Sequence, residues 1–322
     1  MISSSLGVLC KRLCWATSVD WAQMSVESPF AGLLAGIPIE KHEVSVLGST
    51  TRYWVYGDPH AAKTVVISHG YRGEHHGLEP VIAQLPGVRW ISPDLPGFGE
   101  STPLKDVPHS IEGYARWLIE FYAALGLTGR AIALGHSFGS IISSQAIVLG
   151  LDTPRLILIN PIAISGLEGP KPLATKLTVW YYRLAGRLPD RLGNLLLKRW
   201  LIVQFMSVTL VKTKDRVLRS WIHSEHHTYF NRFASRDVVV EAFEASISAD
   251  VSDFAAQIPV PTLLVAAELD DITPVSAQYR LQKLFPNATL RVLHGVGHLI
   301  HYEVPVLAAE AIKDFLTEPD ET

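Results

Sequence analysis

Cysteine is nearly missing: the 322-residue chain has two, Cys10 and Cys14, and no second Cys/His pair follows at zinc-site spacing. A disulfide scaffold and a metal ribbon are thereby excluded, and a reducing, cytoplasmic compartment is the expectation. Charge is sparse too. Charged residues make up 18% of the chain and the net charge is −3, which excludes the basic excess of a nucleic-acid binder. The longest apolar run, Trp200 to Val211, contains Gln204, Ser207 and Thr209 and stays well below the about 20 residues of a membrane span. At the N-terminus Lys11 and Arg12 interrupt the apolar residues, so no signal peptide is expected. Internal repeats and low-complexity tracts are also absent.

What the chain does have is apolar substance: 48% hydrophobic residues at a mean hydropathy of +0.20, enough to build a large core. Its length corresponds to about two units at about 150 residues each. The charge is unevenly placed. Between Ser165 and Arg236 thirteen basic residues face four acidic ones, a surplus of +9 that leaves −12 on the rest of the chain. Two differently charged modules follow from this.

Residues 1–40 read as a leader or weak helix. From there EVSVLG and TRYWVYG predict a hairpin turning at Gly48 to Thr50. TVVISHG is a continuous β-branched run, as in a strand buried on both faces, and VRWISPD, RAIALGHS and PRLILINP repeat that pattern with helical segments between them. The alternation stops after Pro161 and resumes with PTLLVAAELDD and TLRVLHG, then a last helix from Val304 to Leu316. An α/β fold is predicted: a mostly parallel eight-stranded sheet flanked by helices, over residues 41–164 and 251–322. The basic segment 165–250 is expected to form a helical cap over the carboxyl ends of the strands.

Gly135-His136-Ser137-Phe138-Gly139 falls between a predicted strand and a predicted helix. A tight turn there exposes the serine, and the glycines let strand and helix approach. About 0.1 such pattern is expected by chance in a chain of this length. A serine hydroxyl needs a base, and the base an orienting acid. Asp270, with Asp271 as its competitor, and His298 follow later strands, in the chain order Ser, Asp, His. The amide of Phe138, at a helix N-terminus, is placed to bind an oxyanion.

These features resemble the α/β-hydrolase superfamily, in its capped single-domain form that includes esterases, lipases, C–C bond hydrolases and proline iminopeptidases. The likeness runs from about Glu43 to Leu316. It rests on His69-Gly70, the run Pro93 to Ser101, the elbow, Asp270 with Ile272-Thr273-Pro274, and Gly297-His298 followed by Glu303 and Pro305. It implies Ser137 as nucleophile, His298 as general base and Asp270 as its acid, with Tyr71 giving the second oxyanion amide. It disfavours dehalogenase and epoxide hydrolase chemistry, which place an aspartate at the elbow. Some relatives carry the acid after the strand before the cap; that position is Asn160 here, which favours Asp270.

The function expected is therefore cleavage of a carboxylic ester of a hydrophobic small molecule or lipid, with no cofactor and no metal. His69, Gly70, His136, Trp180 and Tyr181 are the expected substrate contacts, although the aromatic run and WLIVQF are more often cap core. A C–C bond hydrolase or iminopeptidase is the alternative; the basic cap argues against holding a substrate amine. A non-catalytic binder of the same fold is the alternative from another class. His75 and His76 are read as loop structure rather than metal ligands because no carboxylate cluster accompanies them. Asp94 is read as a turn former, and His223, His226 and His227 as solvated or packed. The basic, aromatic cap also suggests peripheral contact with an anionic membrane.

Overall fold

Eight strands form one sheet in the computed structural model, which describes residues 26–166 and 172–318. They are β1 (Ile39–Val46), β2 (Ser49–Tyr56), β3 (Thr64–Ser68), β4 (Arg89–Pro93), β5 (Ile132–His136), β6 (Leu156–Ile159), β7 (Thr262–Ala267) and β8 (Ala288–Leu293). Their order is β1-β2-β4-β3-β5-β6-β7-β8, antiparallel at β1, β2 and β4 and parallel from β4 onward. The central strands β5, β6 and β7 are buried at every residue, which explains their unbroken apolar runs. At the margins β1 is mostly exposed and β8 alternates. The hairpin turns one residue earlier than predicted: Leu47 and Gly48 both have positive φ, a two-residue turn matched to strand twist.

Side chains alternate between the two faces of the sheet. Val66, Ala133, Leu158 and Leu264 point into one core, under helices α1 (Ile111–Ala124), α2 (Phe138–Val148) and the later α8 (Val275–Gln282). Val65, Ile67, Leu134, Ile157 and Val265 point into the other, closed by the last helix, α9 (Pro305–Thr317). The basic segment between β6 and β7 contains five helices among the described residues: α3 (Pro172–Arg187), α4 (Asp190–Leu197), α5 (Trp200–Leu210), α6 (Arg216–Tyr229) and α7 (Arg236–Ser248). Asp215 and Ser235 cap α6 and α7 through their side chains. Cys10, Cys14 and most of the predicted leader lie outside the described residues. Of that leader, Val26 and Phe30 pack against a small cluster containing Trp221 and Tyr302.

Candidate active site

The turn from β5 into α2 holds Ser137 at φ 51° and ψ −115°, a backbone conformation that costs an ordinary residue about 1–3 kcal/mol. The geometry shows why both flanking glycines are needed. A Cβ on Gly139 would sit 1.9 Å from the Ser68 carbonyl oxygen, and one on Gly135 would sit 2.4 Å from the Gly139 oxygen. Backbone is the obstacle in each case, so relaxation is expensive. Gly139→Ala is therefore expected to lower stability by more than about 3 kcal/mol or to prevent folding, read by denaturant titration or soluble yield. Gly87→Ala, where nothing lies within 4 Å, is the control and should be nearly neutral.

Ser137 Oγ lies 2.8 Å from His298 Nε2, and His298 Nδ1 lies 2.8 Å from Asp270 Oδ2. His298 and Asp270 are buried, at 5% and 7% exposure. The Asp270 carboxylate accepts two further backbone bonds at Oδ1, from Ile272 N–H at 2.8 Å and Thr273 N–H at 3.2 Å. The run Asp-Asp-Ile-Thr thus folds around its first carboxylate. Asn160, at the end of β6 with φ 46°, donates its side-chain amide to Asp270 Oδ2 at 3.1 Å. Burial pushes the Asp270 carboxyl upward, but the His298 ring and the two amides outweigh it and hold it below its ordinary value. Asp271 faces elsewhere, its carboxylate 2.5 Å from Lys212 Nζ. A hydroxyl on an imidazole whose far nitrogen faces a buried carboxylate is the arrangement that activates serine for attack.

The loop after β3 carries the other predicted residues. Gly70 comes so close to the elbow that a Cβ there would be 3.0 Å from His136 Nδ1 and 3.4 Å from Ser137 Cβ. His69, expected to touch substrate, has both nitrogens engaged: Nδ1 with the Gly70 carbonyl at 2.8 Å and Nε2 with Leu95 N–H at 2.9 Å. It is a buried brace between two loops. Phe138 is the first residue of α2, where amides have no intrahelical acceptor. Tyr71 gives its hydroxyl to the Val239 carbonyl at 2.8 Å and its ring touches Phe98, Phe138, Tyr182 and Phe243.

Arg72 is the residue that sequence reasoning missed. It is 1% exposed at φ 59°, with Nε on the Phe230 carbonyl and Nη2 on the Leu197 carbonyl and Asn231 Oδ1 at 2.9–3.0 Å. One guanidinium thereby ties the loop after β3 to the ends of α4 and α6. A lone Arg in a glycine-rich loop reads as solvated, and only the fold shows its acceptors.

The insertion is bonded to the loops that leave β3 and β4. Gly99 N–H donates to the Arg232 carbonyl and Ala234 N–H to the Gly97 carbonyl. Tyr182 supplies the aromatic contact with Tyr71 and stacks on Phe243 at 3.9 Å. The two residues named from sequence are placed differently: Trp180 is 64% exposed, and Tyr181 bonds the Leu196 carbonyl. His136 is buried, and burial first, then the neighbouring His298 and His69, bring its ring down to about 3.

Asp94 organises turns as expected. It accepts the Glu100 N–H, the His75 N–H and the His75 ring. The expectation that no carboxylate cluster accompanies the histidine pair needs correction, because Glu74 and Asp94 both bond it. Donor atoms of Glu74, His75 and His76 lie within 4.8 Å of one another. His76 Nδ1 bonds Glu74 at 2.5 Å, while His75 Nδ1 bonds Asp94 at 2.8 Å, so the cluster ties its loop to the turn after β4. In the insertion, His223 and His226 both bond Ser207 Oγ at 2.6 Å and His227 bonds Gln204, joining α6 to α5.

The sequence profile described as the Alpha/beta hydrolase family matches residues 65–311. Lipase 1 of Psychrobacter immobilis is 24% identical over 269 residues, covering 79% of this chain and 77% of that one. A 2-hydroxy-6-oxononadienedioate/2-hydroxy-6-oxononatrienedioate hydrolase of Pseudomonas putida is 26% identical over 268 residues, covering 79% and 88%. Among solved structures, the enol-lactonase of Burkholderia xenovorans superposes with a TM-score of 0.71 at 20% identity, covering 86% of this chain and all of that one. The matched segment begins in β3 and ends inside α9, so it takes in the elbow, the acid and the histidine loop together: the chain belongs to the α/β-hydrolase family.

Proposed function

We propose that the protein is a serine hydrolase that cleaves carboxylic esters of hydrophobic small molecules or lipids through an acyl-enzyme. The observation that carries this reading is the unbroken chain from Ser137 Oγ through His298 to Asp270, with 2.8 Å at each link. Ser137 Oγ attacks the ester carbonyl carbon while His298 Nε2 takes the hydroxyl proton. Amides of Phe138 and Tyr71 bind the oxyanion. Collapse breaks the acyl–oxygen bond, and His298 returns the proton to the departing alcohol. Water then attacks the acyl-enzyme, gives its proton to His298, and the acid leaves as Ser137 Oγ is reprotonated. Asp270 fixes the ring orientation and stabilises the imidazolium. No metal or cofactor enters these steps.

Segment 165–250 acts as the cap in this reading, and the rings of Tyr71, Phe98, Tyr182 and Phe243 beside the oxyanion loop favour an apolar substrate group. The likeness to a lipase supports esters, while the likeness to the Pseudomonas putida hydrolase supports C–C bond cleavage as the second reading. The two separate on a panel of p-nitrophenyl esters of graded acyl length, run beside a vinylogous diketone and a peptidyl-proline amide. Turnover of the esters far above the other two is the expected result. Diketone cleavage without ester turnover would shift the assignment to C–C hydrolysis. Failure of all three, with no labelling of Ser137 by a fluorophosphonate, would leave a binding protein.

A further inference from the structure

Helix α5 departs from the pattern of a surface helix, which presents charge or polarity to water. Its sequence, WLIVQFMSVTL, has no charged residue. Val203 and Ser207 are buried, whereas Leu201, Phe205 and Val208 are 65%, 72% and 58% exposed. These three stand at i, i+4 and i+7, a single stripe along the helix. The helix is held from behind: Ser207 bonds His223 and His226 of α6, and Gln204 bonds His227. Its apolar stripe is therefore fixed in place, and an apolar stripe of this kind marks a contact surface.

The charge around it points to the partner. From Arg191 to Lys214 the chain has five basic residues and no acidic one. Lys198 and Arg199 precede α5, Lys212 and Lys214 follow it, and Arg216 and Arg219 open the adjoining α6. Lys212 is paired with Asp271. Among the described residues Arg199, Lys214 and Arg216 have no carboxylate within ion-pair distance. An apolar stripe with cations at both ends matches a bilayer interface, where apolar groups enter the acyl boundary and Lys and Arg reach the phosphates. A second copy of the chain matches it less well, because a two-fold contact would bring two basic rims together. At 1.5 Å per residue α5 is about 16 Å long, about half the hydrocarbon thickness of a bilayer, and no described helix is long and apolar enough to cross one.

We propose that α5 docks the protein on an anionic phospholipid bilayer, lying in the headgroup plane with Leu201, Phe205 and Val208 turned into it. The proposal does not depend on the ester reading, because binding and turnover are measured separately.

The test is co-sedimentation of the full chain with phosphatidylglycerol–phosphatidylcholine vesicles and with pure phosphatidylcholine vesicles. Binding to the mixed vesicles is expected, at least about 10-fold tighter than to the neutral ones and weakened by salt. Phe205→Glu should weaken it by about 10-fold or more, with an unchanged thermal melt and unchanged turnover of p-nitrophenyl acetate. Lys214→Glu with Arg216→Glu should weaken binding to the anionic vesicles only. No sedimentation, equal binding to both vesicle types, or full binding by Phe205→Glu would each overturn the proposal. So would a dimer in sedimentation velocity that Phe205→Glu dissociates while vesicles bind nothing, which would assign the face to a second copy. Absence of esterase activity in a protein that still binds vesicles through Phe205 would count against the ester reading alone.

Discussion

Replacing Ser137 by alanine should lower ester turnover by about 10⁴-fold or more while leaving the melting temperature nearly unchanged. The loss follows from the proposed covalent step, since Ser137 Oγ is the hydroxyl hydrogen-bonded to His298 Nε2, at 2.8 Å. The preserved fold follows from geometry. The strain at Ser137 is backbone strain, set by Gly135 and Gly139, and alanine carries the same Cβ as serine. The main-chain bonds that hold the turn, Ser137 N–H to the Ile159 carbonyl and Ser140 N–H to the Ser137 carbonyl, survive the substitution. Circular dichroism with steady-state kinetics on one p-nitrophenyl ester checks both halves. An alanine variant that melts early but still turns over would remove Ser137 from the mechanism.

The features legible in sequence were those whose cause is local. A buried parallel strand must be apolar at successive positions, and β5, β6 and β7 are. An elbow must have glycine where a Cβ would strike backbone, and Gly135 and Gly139 stand there. Asn160 stands in sequence only as an amide where some relatives carry the acid; its bond to Asp270, donated across 110 residues, depends on β6 and β7 lying side by side. Arg72 was invisible for the same reason, since its acceptors come from Leu197, Phe230 and Asn231. Trp180 and WLIVQF were misplaced because apolar content fixes burial only when a helix has one covered face. Here α5 has Val203 and Ser207 covered and Leu201 and Phe205 bare. Nothing local distinguishes Trp180, which faces solvent, from Tyr182, which meets the Tyr71 ring.

Asp270→Asn should cut kcat by about 10⁴-fold, the scale found when the same change is made in the serine-protease triad, whereas Asp271→Asn should cost far less. The neighbouring acids differ in what they hold. Asp270 accepts the Nδ1 side of His298, and an asparagine amide there would offer a donor or a weaker acceptor and favour the wrong ring tautomer. Asp271 pairs with Lys212 at a site about one-third exposed, where loss of an ion pair costs at most about 1 kcal/mol. Acid stability provides an independent check. The Asp270 carboxyl is held below its ordinary value in the folded protein, so its contribution is present above the unfolded value of about 3.9 and disappears as the pH falls through the lower, folded one. Wild type and Asp270→Asn should therefore differ in stability at neutral pH and converge below about pH 4, while Asp271→Asn tracks wild type closely throughout. If Asp271→Asn instead shows the large kinetic loss, the acid sits one residue further along and the bond between His298 and Asp270 has no part in orienting the ring.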